Sequence, residues 1–109
     1  MDDRLPAIAD QLLLIEQEMR GIGLWGSETP SPERLSSHEP FCVDTLALEE
    51  WLQWIFLPRM KQIVESGADL PAASGIREIA EEAYATEGAR VLRLLEALGE
   101  FDRLITAGR

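Results

Sequence analysis

The chain has 109 residues, 46% of them apolar and 28% charged. That is one domain's worth of sequence with enough apolar side chains for a real core, which at this length hides roughly two-thirds of the unfolded surface. Twenty acids against ten bases leave a net charge of −10, which opposes binding to the phosphates of a nucleic acid or to an anionic membrane. Cys42 is the only cysteine and cannot form an internal disulfide. The start, Met1-Asp2-Asp3-Arg4, is acidic where a signal peptide is basic, and no apolar run approaches the roughly 18 residues of a spanning helix. The reading is a cytoplasmic single domain over residues 1–109.

Leu5, Ile8, Leu12, Ile15, Met19 and Ile22 recur at spacings of three and four, the apolar stripe of a helix over about 4–21. Pro6 falls in the first turn, where its missing N–H costs little, and Gly21 and Gly23 suit the stop. From Gly23 to Val43 the period dissolves among prolines, serines and glycines. One helical turn is expected there, with Ser31 as cap and Pro32 at its first position. Trp25, Leu35 and Phe41 offer apolar area to pin this long crossover onto the bundle.

Asp44-Thr45 reads as the cap of a second helix, about 45–66, with the stripe Leu48, Leu52 (or Trp51), Ile55, Met60, Ile63 and Val64, ended by Gly67. Pro58 predicts a kink near Phe56–Leu57, because its ring clashes with the Trp54 carbonyl and it donates no hydrogen bond. After a linker containing Pro71, Ser74 reads as the cap of a third helix, about 75–85, with Ile76, Ile79, Ala80 and Ala83 inward. A fourth, about 88–106, carries Val91, Leu94, Leu98, Phe101 and Ile105, and Gly108 ends it. The fold predicted is all-α, a four-helix bundle with a long first crossover loop and a proline-kinked second helix.

Catalytic furniture is sparse. His38 is the one histidine, and the adjacent pairs Glu49-Glu50 and Glu81-Glu82 point about 100° apart on a helix, so no metal site and no cofactor is expected. Cys42 lies before a helix start, but Asp44 opposes a thiolate and Phe41 and Val43 favour burial, which makes it a packing residue. No nucleophile elbow, phosphate loop or dinucleotide fingerprint is present. Nothing in the sequence demands an enzyme. What stands out is Trp51, Leu52, Trp54, Ile55 and Phe56, which surround one helix with apolar groups. Such a helix is either central to the core or covered by something else.

Residues 40–60 read PFCVDTLALEEWLQWIFLPRM. Pro-Phe-Cys, Asp-Thr, Glu-Trp-Leu-Gln-Trp and Pro-Arg-Met together resemble the YqcC-like family of small bacterial proteins, and a looser similarity extends over nearly the whole chain. The resemblance implies a four-helix bundle and an association with tRNA pseudouridine synthase C. It implies no catalytic residue here, because such a synthase needs a mixed α/β catalytic domain and a basic surface. Acidic faces meeting a basic enzyme would carry an accessory role.

Two functions compete. One is a protein-interaction bundle, docking on that synthase or on itself through Trp51, Trp54, Gln53, Arg59 and Glu50, without direct contact to nucleic acid or membrane. The alternative is a small-ligand binder with a pocket near the Pro58 kink, oriented by Glu50, Gln53, Arg59 and Tyr84.

Overall fold

The computed structural model describes residues 3–107, and every regular element among them is helical. Gly108, expected to end the last helix, and the first two residues of the acidic start lie outside the described residues. The first helix, α1 (Leu5–Gly21), buries Leu5, Ile8, Leu12, Ile15 and Met19, each worth about 1.5–3 kcal/mol in apolar area removed from water. The crossover holds α2 (Pro32–Leu35), where the Ser31 hydroxyl accepts from the Arg34 N–H at 3.3 Å, as the sequence predicts. A 3₁₀ turn, Pro40–Cys42, follows.

The second long segment begins later than expected. Its first turn is α3 (Leu48–Trp51), capped by Ala47 and not by Asp44 or Thr45. Phe41 and Cys42 both take left-handed backbone angles, φ 58° and 50°, and the chain then folds back so that the Thr45 and Leu46 N–H groups donate to the Cys42 carbonyl. That turn spends Asp44 and Thr45 elsewhere. Asp44 accepts from the Ser37 hydroxyl, and Thr45 donates to the Arg34 carbonyl at 2.7 Å. Ala47 has no cap oxygen; instead Glu50 reaches back to its N–H at 2.9 Å, half of a capping box.

A π turn, Leu52–Phe56, joins α3 to α4 (Leu57–Ser66). Here the Leu57 N–H donates to the Leu52 carbonyl, five residues back. At the position of the expected kink the helix carries this widened turn, and Leu57 keeps helical angles, φ −61° and ψ −47°. A widened turn is one way for a helix to relieve the clash between a proline ring and the carbonyl four residues before it. Gly67, at φ 70°, ends α4 in the left-handed conformation that glycine adopts most cheaply.

Helix α5 (Ile76–Ala83) starts from Gly75, which has no side chain to cap it, so Ser74 is not the cap. The cap comes from across the interface. Asp102 accepts from the backbone N–H groups of Ile76 at 3.0 Å and Arg77 at 2.9 Å, and the Ser74 hydroxyl donates to the same carboxylate. A 3₁₀ turn (Gly88–Val91) then leads into α6 (Leu92–Ala107). Arg4 donates to the Leu104 and Ile105 carbonyls at 2.8 and 2.9 Å, while Arg90 reaches the Ile22 carbonyl. Helices α1 and α6 are therefore antiparallel neighbours. Helix α4 packs on α1, and α5 packs on α6. One continuous core joins them, with Phe101, Ile8, Ile15, Leu52, Leu57 and Leu98 among its most enclosed side chains.

Candidate functional site

The segment Trp51–Arg59 divides its side chains among three surroundings. Gln53 goes inward, 6% exposed. Its amide pairs with the peptide group of Gly26, accepting from the N–H at 2.8 Å and donating to the carbonyl at 2.7 Å. The crossover is thus held to the helix by a side chain that imitates a strand neighbour. Glu50 is likewise engaged, by Arg34 at 2.7 Å and by the Ala47 N–H. Tyr84 is buried, and its hydroxyl donates to Glu49 at 3.1 Å. Burial pushes that hydroxyl's pKa far up, and the neighbouring Glu49 carboxylate raises it further.

Trp51 is half-buried in a run of rings. Phe41 meets its edge at a centroid distance of 4.8 Å, Phe56 stacks on it at 5.4 Å, and Phe56 in turn meets Phe101 at 5.0 Å. The crossover is therefore tied through aromatic contact to the core side of α6. Trp54 is also half-buried, but it faces a shallow groove of about 230 Å³ with Trp25, Gly26, Glu28, Glu49 and Glu50 around it. Trp25 is covered on one side by the Arg20 guanidinium, 4.5 Å from the ring centre.

Arg59 is exposed on the opposite margin of this segment, beside a separate cleft of about 280 Å³. Trp51, Ile55, Phe56, Met60, Ile76 and Phe101 form its walls, and the 71–75 linker borders it. The five residues picked from the sequence are thus not one surface. Trp51 and Arg59 share the cleft, Trp54 and Glu50 share the acidic groove, and Gln53 is enclosed between helix and crossover. Of the groups expected to orient a ligand near Pro58, only Arg59 lines the cleft; Glu50, Gln53 and Tyr84 do not. Sequence reading missed Phe101 and Ile76 as walls, because they come from α6 and α5, and their only signal was a place in an apolar stripe.

Elsewhere the thiol of Cys42 is buried and His38 is exposed, and no hydrogen bond joins them. Among the described residues no cluster of three or more His, Cys, Asp or Glu is placed to hold a metal ion. No described helix is long and apolar enough to cross a membrane.

The DUF446 family model, described as "tRNA pseudouridine synthase C", matches residues 7–104. The chain is 33% identical over 94 residues to "Uncharacterized protein YqcC" of Escherichia coli, covering 86% of each. The solution NMR structure of E. coli YqcC superimposes with a TM-score of 0.86 at 29% identity, covering 99% of this chain and 92% of that one. A Haemophilus influenzae "Uncharacterized protein" is 46% identical over 65 residues, a match spanning 60% of this chain and 61% of that relative, less than two thirds of its length. A Pectobacterium carotovorum subsp. carotovorum protein titled "tRNA pseudouridine synthase C" is 42% identical over 64 residues, which are 59% of this chain but 17% of that one. The chain belongs to the YqcC-like family, the one the DUF446 model describes.

Proposed function

We propose that this chain is a non-catalytic protein-interaction module, a four-helix bundle that serves a tRNA pseudouridine synthase C as an accessory. The observation that carries this reading is the Pectobacterium relative. A segment similar to this domain makes up a small part of a much longer chain bearing that enzyme's title. Where the two are separate chains, a non-covalent contact would take the place of the peptide link.

Charge supports the same direction. An enzyme that holds tRNA needs a basic surface, and this chain carries −10. The groove around Trp54 combines a half-exposed tryptophan with Glu28, Glu49 and Glu50, an apolar anchor inside an acidic rim. Trp51, by contrast, is committed to its neighbours Phe41 and Phe56.

The test is titration calorimetry between this protein and the purified synthase C of the same organism, at low and moderate salt. A complex that weakens with salt is expected, and Trp54→Ala should reduce its affinity by about tenfold or more, as loss of an interface anchor does. Absence of a complex at about 0.1 mM in low salt would overturn the reading. So would a stable homodimer that buries Trp54, which would make self-association the function of this face.

A further inference from the structure

The cleft beside Arg59 differs in charge from the rest of the molecule. The chain has twenty acids, yet among the described residues no acid lines this cleft, whose walls are aromatic and aliphatic. Arg59, its one cation, has neither a hydrogen bond nor an ion pair among the described residues. Elsewhere Arg20, Arg34, Lys61, Arg77, Arg90 and Arg103 each have a carboxylate partner. Arg93 has none, but it stands in a groove lined by Glu18, Glu96 and Glu100, where an incoming anion would be repelled. An unpaired guanidinium over apolar walls is complementary to an amphiphile with an anionic head.

Head and body can be specified further. A planar guanidinium matches a carboxylate in a two-bond fork. A doubly charged phosphate would need more than one cation or free backbone N–H groups, and the nearby start of α5 is already filled by Asp102. At the packing density of a protein interior, about 280 Å³ accommodates a body of roughly ten to twelve non-hydrogen atoms. We propose that this cleft is a binding site for a small monocarboxylate with a compact apolar body, held by Arg59 at its head and by Trp51, Phe56 and Phe101 along its side. This inference is independent of the interaction reading above.

Octanoate and 3-phenylpropionate, with octanamide and 3-phenylpropanamide as neutral counterparts, are suitable probes. Each is titrated into the folded protein while the three tryptophan indole N–H resonances are followed by NMR. The acids should bind roughly three- to fivefold more tightly than the amides, the modest advantage of a charge pair with an exposed guanidinium. The Trp51 resonance should move, while those of Trp25 and Trp54, in the other groove, stay. Arg59→Gln changes an exposed side chain and keeps the fold. It should erase the preference for acid over amide without altering the amides' affinity. Equal affinity of acid and amide, an acid preference that survives Arg59→Gln, or no binding at about 10 mM would each overturn the proposal.

Discussion

Asp102, near the end of α6, accepts the backbone N–H of Arg77 at 2.9 Å, so the start of α5 is capped by a residue 25 positions away in sequence. The same carboxylate takes the Ile76 N–H and the Ser74 hydroxyl, and Gly75 contributes no side chain. Asp102→Ala should therefore destabilise the protein by about 1–2 kcal/mol, the cost of losing a charged cap. Asp102→Asn should cost less, because it keeps an acceptor. Urea unfolding measures both, with the midpoint falling at constant slope. In hydrogen exchange the Ile76 and Arg77 amides should lose protection before the rest of α5.

Gln53 performs a comparable service for the crossover. Gln53→Leu fills the space but leaves both polar atoms of Gly26 without their partner. Gly26 is exposed, so water can replace part of the loss, and a cost of about 1–2 kcal/mol is expected. Limited proteolysis should show cleavage moving into the 23–30 stretch, while the amides of α1 and α6 keep their protection.

Tyr84 is the one tyrosine in the chain, which makes its ionisation easy to follow. Burial, reinforced by the Glu49 carboxylate, raises its folded pKa above the ordinary 10.0. The neutral hydroxyl is thus favoured by folding. That contribution is complete below pH 10 and disappears as pH rises past it, because only the unfolded chain then gives up the proton. Phenolate absorbance in an alkaline titration should appear together with loss of the helical circular dichroism signal, not before it. A separate earlier phenolate transition in the folded protein would contradict this.

Glu16 sets the acid side. Burial pushes its carboxyl up, but hydrogen bonds and charge from Lys61, at 3.1 Å, and Arg20, at 3.0 Å, outweigh it and hold the pKa below the usual 4.5. A folded pKa lowered in this way adds stability above the unfolded value, and the gain is lost as pH falls through the folded one. Both cations are largely exposed, so Glu16→Gln should cost less than about 1 kcal/mol at neutral pH. Urea midpoints of wild type and variant should converge as the pH is lowered to about 3.

Periodicity alone located α1 and α6. Leu5, Ile8, Leu12, Ile15 and Met19 are all buried, as are Val91, Leu94, Leu98, Phe101 and Ile105. Both helices obey the period that the reading assumes. The second helix was read less well, since Phe56 and Leu57 are buried while Ile55, assigned to the core, is half-exposed at the cleft. Caps were legible where they are local, as at Ser31, and illegible where they are not, as at Asp102. The same holds for Gln53, whose partner lies 27 residues away. The cleft could be anticipated near Pro58, but its lining comes from four parts of the chain, Phe41 of the crossover among them, and its lack of acids among the described residues emerges only once they meet.

The π turn explains the misread stripe. Leu48, Leu52, Phe56 and Met60 are all buried, at successive steps of four residues. In a regular α-helix each such step rotates by about 40°, so three steps would carry the last side chain about 120° around and out of the core. A π turn accommodates one residue beyond the α count, which returns about 100° of that rotation. The helix thus behaves as if it held a single-residue insertion, absorbed in place instead of expelled as a loop. Trp51, Ile55 and Arg59 follow the same step of four, and the same correction brings them to one cleft. A relative lacking one residue between Leu52 and Phe56 would wind as plain α-helix and still bring its Arg59 counterpart to the apolar walls, because one α step fewer turns as far as the π turn does.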